Sequence, residues 1–138
     1  MSALPQGIIH ATLIAPDLAA LCAAYQQQLA MQLHMQDTLE AADAAILGLP
    51  DLAGAPQAWL ANSAGVPVLQ VIEDPAAVVA EPMFRHGWLS LEILVGDIDT
   101  LAAGLTAPFR VLGPAANLEL SDAIRAAHDL SRRVIRHR

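Results

Sequence analysis

The chain contains no lysine, and all seven of its basic residues are arginines. Four of them, Arg132, Arg133, Arg136 and Arg138, crowd the last seven positions, so the rest of the chain sets three arginines against 14 acidic residues. So acidic a body repels phosphate backbones, and we therefore expect no nucleic-acid partner. The arginine-rich end favours a solvated terminus over an anion-binding patch.

Cysteines, aromatic residues and long apolar runs are also scarce. Cys22 is the only cysteine, so no internal disulfide can form, and its place on an apolar helix stripe predicts a buried, inert thiol. Aromatic residues make up 4% of the 138 residues, too few for a base-stacking surface. No apolar run reaches the ~18 residues of a membrane span, and the N-terminus lacks the basic start of a secretory signal. We therefore expect one cytoplasmic domain over 1–138 with no membrane partner.

The first strong pattern is the stretch GIIHATLI at 7–14. Its alternation predicts a strand that has His10 on one face. Asp17 follows as a good N-cap, because its carboxylate can accept a hydrogen bond from the free amides of a first helical turn. Apolar residues then recur at helical spacing, which predicts a helix from Leu18 to about Ala30.

The rest of the chain consists of short apolar segments separated by turn residues. The pattern predicts strands at 31–40, 44–49, 66–74, 88–95 and 108–113, a turn-rich connection at 50–65, a linker at 75–87, and a strand or short helix at 122–130. These elements indicate an α+β fold.

The stretch WLSLEILVGDIDTLAAGL at 88–105 repeats the opening pattern eighty positions later. Asp97 then matches Asp17, and the apolar positions before and after it keep the same phase. This agreement predicts tandem βαβββ modules, module one at about 7–74 and module two at about 88–136. The alternative is a chance likeness between two short amphipathic units.

These two stretches resemble the module openings of the vicinal-oxygen-chelate superfamily. That superfamily includes glyoxalase I, methylmalonyl-CoA epimerase, extradiol dioxygenases, and the bleomycin- and fosfomycin-resistance proteins. The resemblance covers roughly 7–130 and rests on the hydrophobic pattern together with Asp17, Tyr25, Asp97 and Asp99. It implies two modules whose mixed sheets curl into an open glyoxalase-like half-barrel, with a divalent metal held on the concave face by the first and last strands of each module.

The resemblance carries the metal ligands to particular positions. His10 matches the ligand on the first strand, and Gln70 matches the ligand on the last strand of module one. The second histidine of the metal-binding relatives maps onto Ser90, a weak ligand. Glu92 on the same strand face is the expected substitute, with His86 just before the strand as the alternative. The expected site is therefore His10, Gln70 and Glu92 around Zn, Ni, Fe, Mn or Co, although no Glu follows where those relatives place a fourth ligand.

Each of these ligands also has a purely structural explanation. His10 could be a core histidine, Gln70 a polar residue beside the sheet ladder or facing a ligand, and Glu92 a carboxylate that faces solvent or a dimer interface. The candidates to line a pocket for an apolar or aromatic small molecule are Ser90, Trp88 and Phe84.

Three functions remain open at this point. The first is a metal-dependent lyase, isomerase or dioxygenase in which Glu92 also moves a proton. The second is a non-catalytic, metal-free binder of a small molecule, as in the bleomycin-resistance branch, and the absence of histidine at position 90 favours it. The third is a regulatory or partner-binding domain in which His10, Gln70 and Glu92 point away from one another. We expect a homodimer, because an incomplete last strand would leave a sheet edge to cover.

Overall fold

A computed structural model of the chain describes residues 9–78, 91, 93 and 95–111. The chain forms two compact units, Met1–Glu81 and Pro82–Arg138. The described part combines helices with one four-stranded sheet, as an α+β fold requires. None of the helices in those ranges has the length and apolar character to cross a bilayer.

The elements of the first unit follow the order strand, helix, strand, two short helices, strand, strand. They are β1 (Ala11–Ala15), α1 (Leu18–Leu29), β2 (Gln32–Thr38), α2 (Ala41–Ile46), a 3-10 helix (Pro50–Leu52), β3 (Pro56–Ala61) and β4 (Pro67–Glu73). In the second unit, the described residues contain helix α3 (Ile98–Gly104).

The sheet of the first unit has the strand order β1-β4-β3-β2. β1 pairs with β4 in parallel, whereas β4 with β3 and β3 with β2 are antiparallel. β1 and β2 therefore run in the same direction at the two edges of the sheet. Helix α1 joins them, because parallel strands need a crossover connection rather than a hairpin.

Helix α1 begins and ends where the sequence predicts. Asp17 Oδ1 accepts a hydrogen bond from the Ala20 amide at 2.8 Å, which caps the first turn. The Leu18 amide also donates to Glu73 Oε2 at 3.0 Å, so the end of β4 holds the start of the helix. At the other end, Ala30 takes the left-handed conformation with φ of 52°, which stops the helix.

The core lies between α1 and one face of the sheet. Register pairs place four strand residues with at most 2% exposure on that face, namely Ala58, Leu60, Leu69 and Val71. Helix α1 lies against β2, β3 and β4, and its buried residues are Leu18, Cys22, Ala24 and Tyr25. Burying each Leu or Val side chain stabilises the fold by about 1.5–3 kcal/mol, so this layer holds α1 to the sheet.

The strand predicted at 44–49 is wrong, because Ala41–Ile46 forms helix α2 instead. Alanine is the strongest helix former, and four of the six residues in the helix are alanines. Ala44 is fully buried and belongs to a small apolar cluster with Leu39 and Ile72. Burial of Ala44 in this cluster favours the helix, whereas the apolar run on its own predicts a strand.

The prediction that 50–65 is only a turn-rich connection is also wrong. β3 (Pro56–Ala61) lies within it and runs between β4 and β2 in the interior of the sheet. Pro56 is the first residue of that strand, a position where a missing amide proton is tolerated. The turn that follows, before β4, is closed by Asn62, whose Oδ1 accepts from the amides of Ala64 and Val66, and Gly65 supplies a φ of 76°.

In the second unit, Asp97 caps α3 as predicted, but the strand predicted at 108–113 is wrong over its described part, 108–111. The Phe109 amide donates to the carbonyl of Thr106 at 3.0 Å and closes a turn there. Residues 91, 93 and 95 from the strand predicted at 88–95 are not in a strand either. The other positions of 88–95, and all of 122–130, lie outside the described residues.

Candidate functional site

The sheet face opposite α1 carries polar and aromatic side chains at its centre. One row across the four strands consists of Thr12, Gln70, Trp59 and Met35. The next row consists of Ile14, Ile72, Gln57 and Asp37. We call the surface formed by these two rows the polar face. α2 packs against this face at Ile72, in a cluster with Leu39 and Ala44.

A chain of hydrogen bonds crosses the polar face. The Thr12 hydroxyl donates to Gln70 Oε1 at 2.8 Å, and Gln70 Nε2 donates to Gln57 Oε1 at 2.6 Å. Gln57 Nε2 in turn points at the main-chain carbonyl of Thr38, 3.5 Å away. We call these four groups the glutamine network. It ties together all four strands of the sheet, since its members lie on β1, β4, β3 and β2.

Both glutamines of the network are buried. Gln57 is 5% exposed and Gln70 is 4% exposed. A buried amide without partners costs roughly 1–3 kcal/mol, so the network is what allows these side chains to remain there. Among the described residues, every buried side-chain nitrogen or oxygen has a hydrogen-bond partner. Two apolar side chains in place of Gln57 and Gln70 would fill the same space without needing hydrogen-bond partners. Polar groups that converge in a largely apolar, buried region are typical of ligand sites.

His10 and Trp59 form an aromatic pair beside the network. Their ring centroids lie 4.8 Å apart with an interplanar angle of 69°, an edge-to-face arrangement. His10 is exposed and immediately precedes β1, so it is not a core histidine. Trp59 is partly exposed and is the register partner of Gln70. The pair therefore supplies an apolar, accessible border to the buried amides.

Two of the three predicted metal ligands, His10 and Gln70, are among the described residues. Both adjoin Trp59: the ring of His10 contacts the ring of Trp59, and Gln70 is the register partner of Trp59 on the neighbouring strand. Glu92 and the predicted pocket residues Ser90, Trp88 and Phe84 lie outside the described residues.

The described donors alone do not make a metal centre. Oε1 of Gln70 already accepts from Thr12, which leaves one exposed imidazole and one engaged amide oxygen. Zinc sites in proteins use three or four protein ligands, so a complete set of that kind would depend on Glu92. Over the described ranges, no group of three His, Cys, Asp or Glu side chains is placed to hold a metal ion. We derive no chemical step through a metal.

Two groups on α1, on the other side of the sheet, have raised pKa values. Burial raises the pKa of the Cys22 thiol, and burial likewise raises the pKa of the Tyr25 hydroxyl. Both are among the buried residues of α1, away from the polar face. Cys22 is 7% exposed, which fits the inert thiol that the sequence predicts.

Sequence reasoning missed three members of this arrangement: Thr12, Gln57 and Trp59. The signal for Thr12 was present, since it shares strand parity with His10 at 7–14. The signal for the other two was the alternation in QAWLA, which puts Gln57 and Trp59 on one face of a strand. The proline and glycine residues around that segment hid the alternation.

Comparison of this chain with protein families, with curated proteins and with solved structures finds no match in any of the three.

Proposed function

We propose that this chain is a divergent member of the vicinal-oxygen-chelate superfamily, and that its first unit is one of two βαβββ modules. The order β1, α1, β2, β3, β4 supports this proposal, with α2 and the 3-10 helix as an insertion between the second and third strands. The second module, with strands of its own, is likewise part of the proposal.

The two helix caps support the duplication. Asp17 has φ and ψ of −141° and 100°, and Asp97 has −144° and 110°. Each Oδ1 accepts from the amide three residues on, that of Ala20 in one unit and of Thr100 in the other. These pairs are eighty positions apart, the same offset that relates the two sequence patterns. Caps of this kind are common in helices, so their value here lies in the shared offset.

For the function, we propose binding of a small molecule on the polar face. The observation that carries it is the glutamine network beside the His10–Trp59 pair. The Thr12 hydroxyl, held by the two buried amides, gives a directional contact, and the aromatic pair gives apolar area, the combination by which pockets orient small ligands. No step of this proposal requires a metal or a reaction, so the metal-free binder is the form of the function that the described residues support best.

A binding experiment tests this function. Chelator-treated protein is titrated with small neutral aromatic probes such as indole and benzyl alcohol, and the affinity is measured by heteronuclear NMR. We expect Trp59→Leu to weaken binding by about tenfold or more, because it removes the aromatic contact area. The control is Gln27→Ala on the exposed side of α1, which should leave the affinity unchanged. Equal affinities for wild type and a folded Trp59→Leu variant, or no binding of any probe, would refute this function.

A second candidate is the metal-assisted enzyme, with lyase, isomerase or dioxygenase chemistry. The observation in its favour is that His10 and Gln70 adjoin the same tryptophan. With Glu92 as the third ligand, a bound divalent ion would polarise adjacent oxygens of a substrate. Calorimetric titration of chelator-treated protein with Zn²⁺ and with Ni²⁺ tests it. His10→Ala should abolish the binding, and His34→Ala, an exposed histidine on β2, should not. Unchanged metal affinity in His10→Ala excludes this candidate.

A further inference from the structure

A main-chain carbonyl sets the direction of every hydrogen bond in the glutamine network. The carbonyl of Thr38 can only accept, so the side chain of Gln57 presents its Nε2 to it, at 3.5 Å. Oε1 of Gln57 then points towards Gln70. Because this oxygen accepts, Gln70 donates from its Nε2, which lies 2.6 Å from Gln57 Oε1. The orientation of the second amide thus follows from that of the first.

The direction of the Thr12 hydroxyl, at the end of the network, is fixed in the same way. With its Nε2 used, Gln70 presents Oε1 to Thr12, and the 2.8 Å contact requires the hydroxyl proton of Thr12 to point at it. Turning either amide over would set two oxygens or two NH₂ groups against each other at hydrogen-bond distance. Because Gln57 and Gln70 are 5% and 4% exposed, water cannot readily relieve such a clash.

This fixed orientation determines what Thr12, the partly exposed end of the network, can offer to a ligand. A threonine hydroxyl has one proton and two lone pairs, and here the proton is committed to Gln70. Towards the polar face, Thr12 Oγ1 therefore presents lone pairs only. Trp59 follows Gln70 in the same row of the sheet, so an apolar surface lies within the span of a small molecule that contacts Thr12.

We propose that Thr12 is a specificity-determining residue, and that the ligand class is neutral aromatic molecules that carry a hydroxyl or N–H donor. The donor would bond to Thr12 Oγ1 while the ring contacts Trp59. This proposal rests on the proposed small-molecule binding at the polar face. Ligands that have only acceptors at the corresponding position, such as ethers, N-methyl heterocycles and carboxylates, would place an oxygen or a methyl group against the Thr12 lone pairs.

Matched probe pairs test the selectivity: indole against 1-methylindole, and benzyl alcohol against benzyl methyl ether. We expect wild-type protein to bind the donor member of each pair about two- to tenfold more tightly, the worth of one net hydrogen bond. Thr12→Val should remove the difference, and Thr12→Ser should keep it. Ser63→Ala is the matched control, because it removes an exposed hydroxyl in the turn between β3 and β4, away from the network. It should retain the full preference.

The outcomes distinguish the donor preference at Thr12 from the proposed binding of small molecules on the polar face. Probes that bind in a Trp59-dependent way but without a donor preference overturn the inference and leave the function standing. A preference that persists in folded Thr12→Val overturns it as well. If no probe binds, the proposed function fails and the inference with it.

Thr12→Val leaves Gln70 Oε1 without its donor and can unfold the protein, so a second measurement uses the wild type. In NMR spectra of the unliganded protein, the Thr12 hydroxyl proton should exchange slowly and show an NOE to the Gln70 side chain. A rapidly exchanging hydroxyl proton would overturn the inference.

Discussion

The hydroxyl oxygen of Thr12 lies 2.8 Å from Oε1 of Gln70, and the two residues face each other on neighbouring parallel strands. The resemblance to metal-binding relatives assigns Gln70 as a ligand, yet in this structure its oxygen already accepts a hydrogen bond. Its amide nitrogen is engaged as well, by Gln57. Gln70 therefore belongs to a network that holds the polar face in one arrangement, and its replacement should be felt in stability as well as in binding.

Gln70→Glu should make stability depend on pH. A protonated Glu can reproduce both contacts of the amide, donating to Gln57 Oε1 and accepting from Thr12. An ionised Glu would set a negative oxygen against Gln57 Oε1 in a buried place, which raises the carboxyl pKa in the folded protein. The folded state then holds its proton more tightly than the unfolded chain, where the pKa is about 4.3. The free energy of unfolding should therefore fall, relative to wild type, as pH rises above about 4.3.

Urea denaturation at several pH values measures this dependence. We expect the variant to lose about 1–3 kcal/mol relative to wild type by neutral pH, the range for a buried polar group without its partner. Gln27→Glu on exposed α1 is the control and should show no such slope. A Gln70→Glu variant that tracks wild type from pH 4 to pH 8 would show that the position is solvated and not part of a closed network.

Asp17→Ala should destabilise the first unit by about 1 kcal/mol. The substitution removes the acceptor that caps the Ala20 amide at the start of α1. Asp17→Asn keeps an acceptor of the same shape and should retain most of the stability. Equilibrium unfolding in urea, followed by circular dichroism, distinguishes the two variants. Equal losses for Ala and Asn would mean that the carboxylate acts through its charge and not as a cap.

Stability should also decline in alkaline solution. Burial raises the pKa of Cys22 above its ordinary value of 9.0 and that of Tyr25 above 10.0. Each group keeps its proton in the folded state at a pH where the unfolded chain has lost it, so the free energy of unfolding falls as pH rises above about 9.0. Cys22→Ala should flatten the first part of that decline. An unchanged slope from pH 8 to pH 10 in the variant would assign the effect to other groups.

A homodimer is a further prediction. β2 is an edge strand of the sheet, and all seven of its residues, Gln32–Thr38, are exposed. Exposed edges favour pairing with another strand, and a second copy of the chain is the simplest partner. Size-exclusion chromatography with light scattering should give twice the mass of one chain at micromolar concentration. A mass of one chain over the whole concentration range would contradict it.

The strong local signals of the sequence were sufficient to predict about half of the helices and strands of the first unit. Asp17 followed by an apolar helical stripe predicted α1, and β-branched alternation predicted β4 (Pro67–Glu73). Both rest on interactions within a few residues, namely a cap and a strand period. Such interactions are written into neighbouring positions, so a single sequence is enough to find them.

The missed elements depend on contacts that are distant in the chain. β3 (Pro56–Ala61) is a strand because β2 and β4 pair with both of its edges, which outweighs the proline and glycine signals around it. α2 is fixed by Ala44 packing against Ile72. The glutamine network joins Thr12 to Gln70, 58 positions apart in the chain, and Gln57 to Gln70, 13 positions apart. No pattern within a single strand indicates that two amides will meet.

The most direct test of the account is to map a bound probe onto the protein. Heteronuclear NMR of the full chain with excess indole should give intermolecular NOEs to Trp59 and His10, and amide shift changes that centre on Thr12 and Gln70. We expect no NOEs to α1, because its apolar side packs against the other face of the sheet. NOEs that map to α1, with the polar face unperturbed, would contradict it.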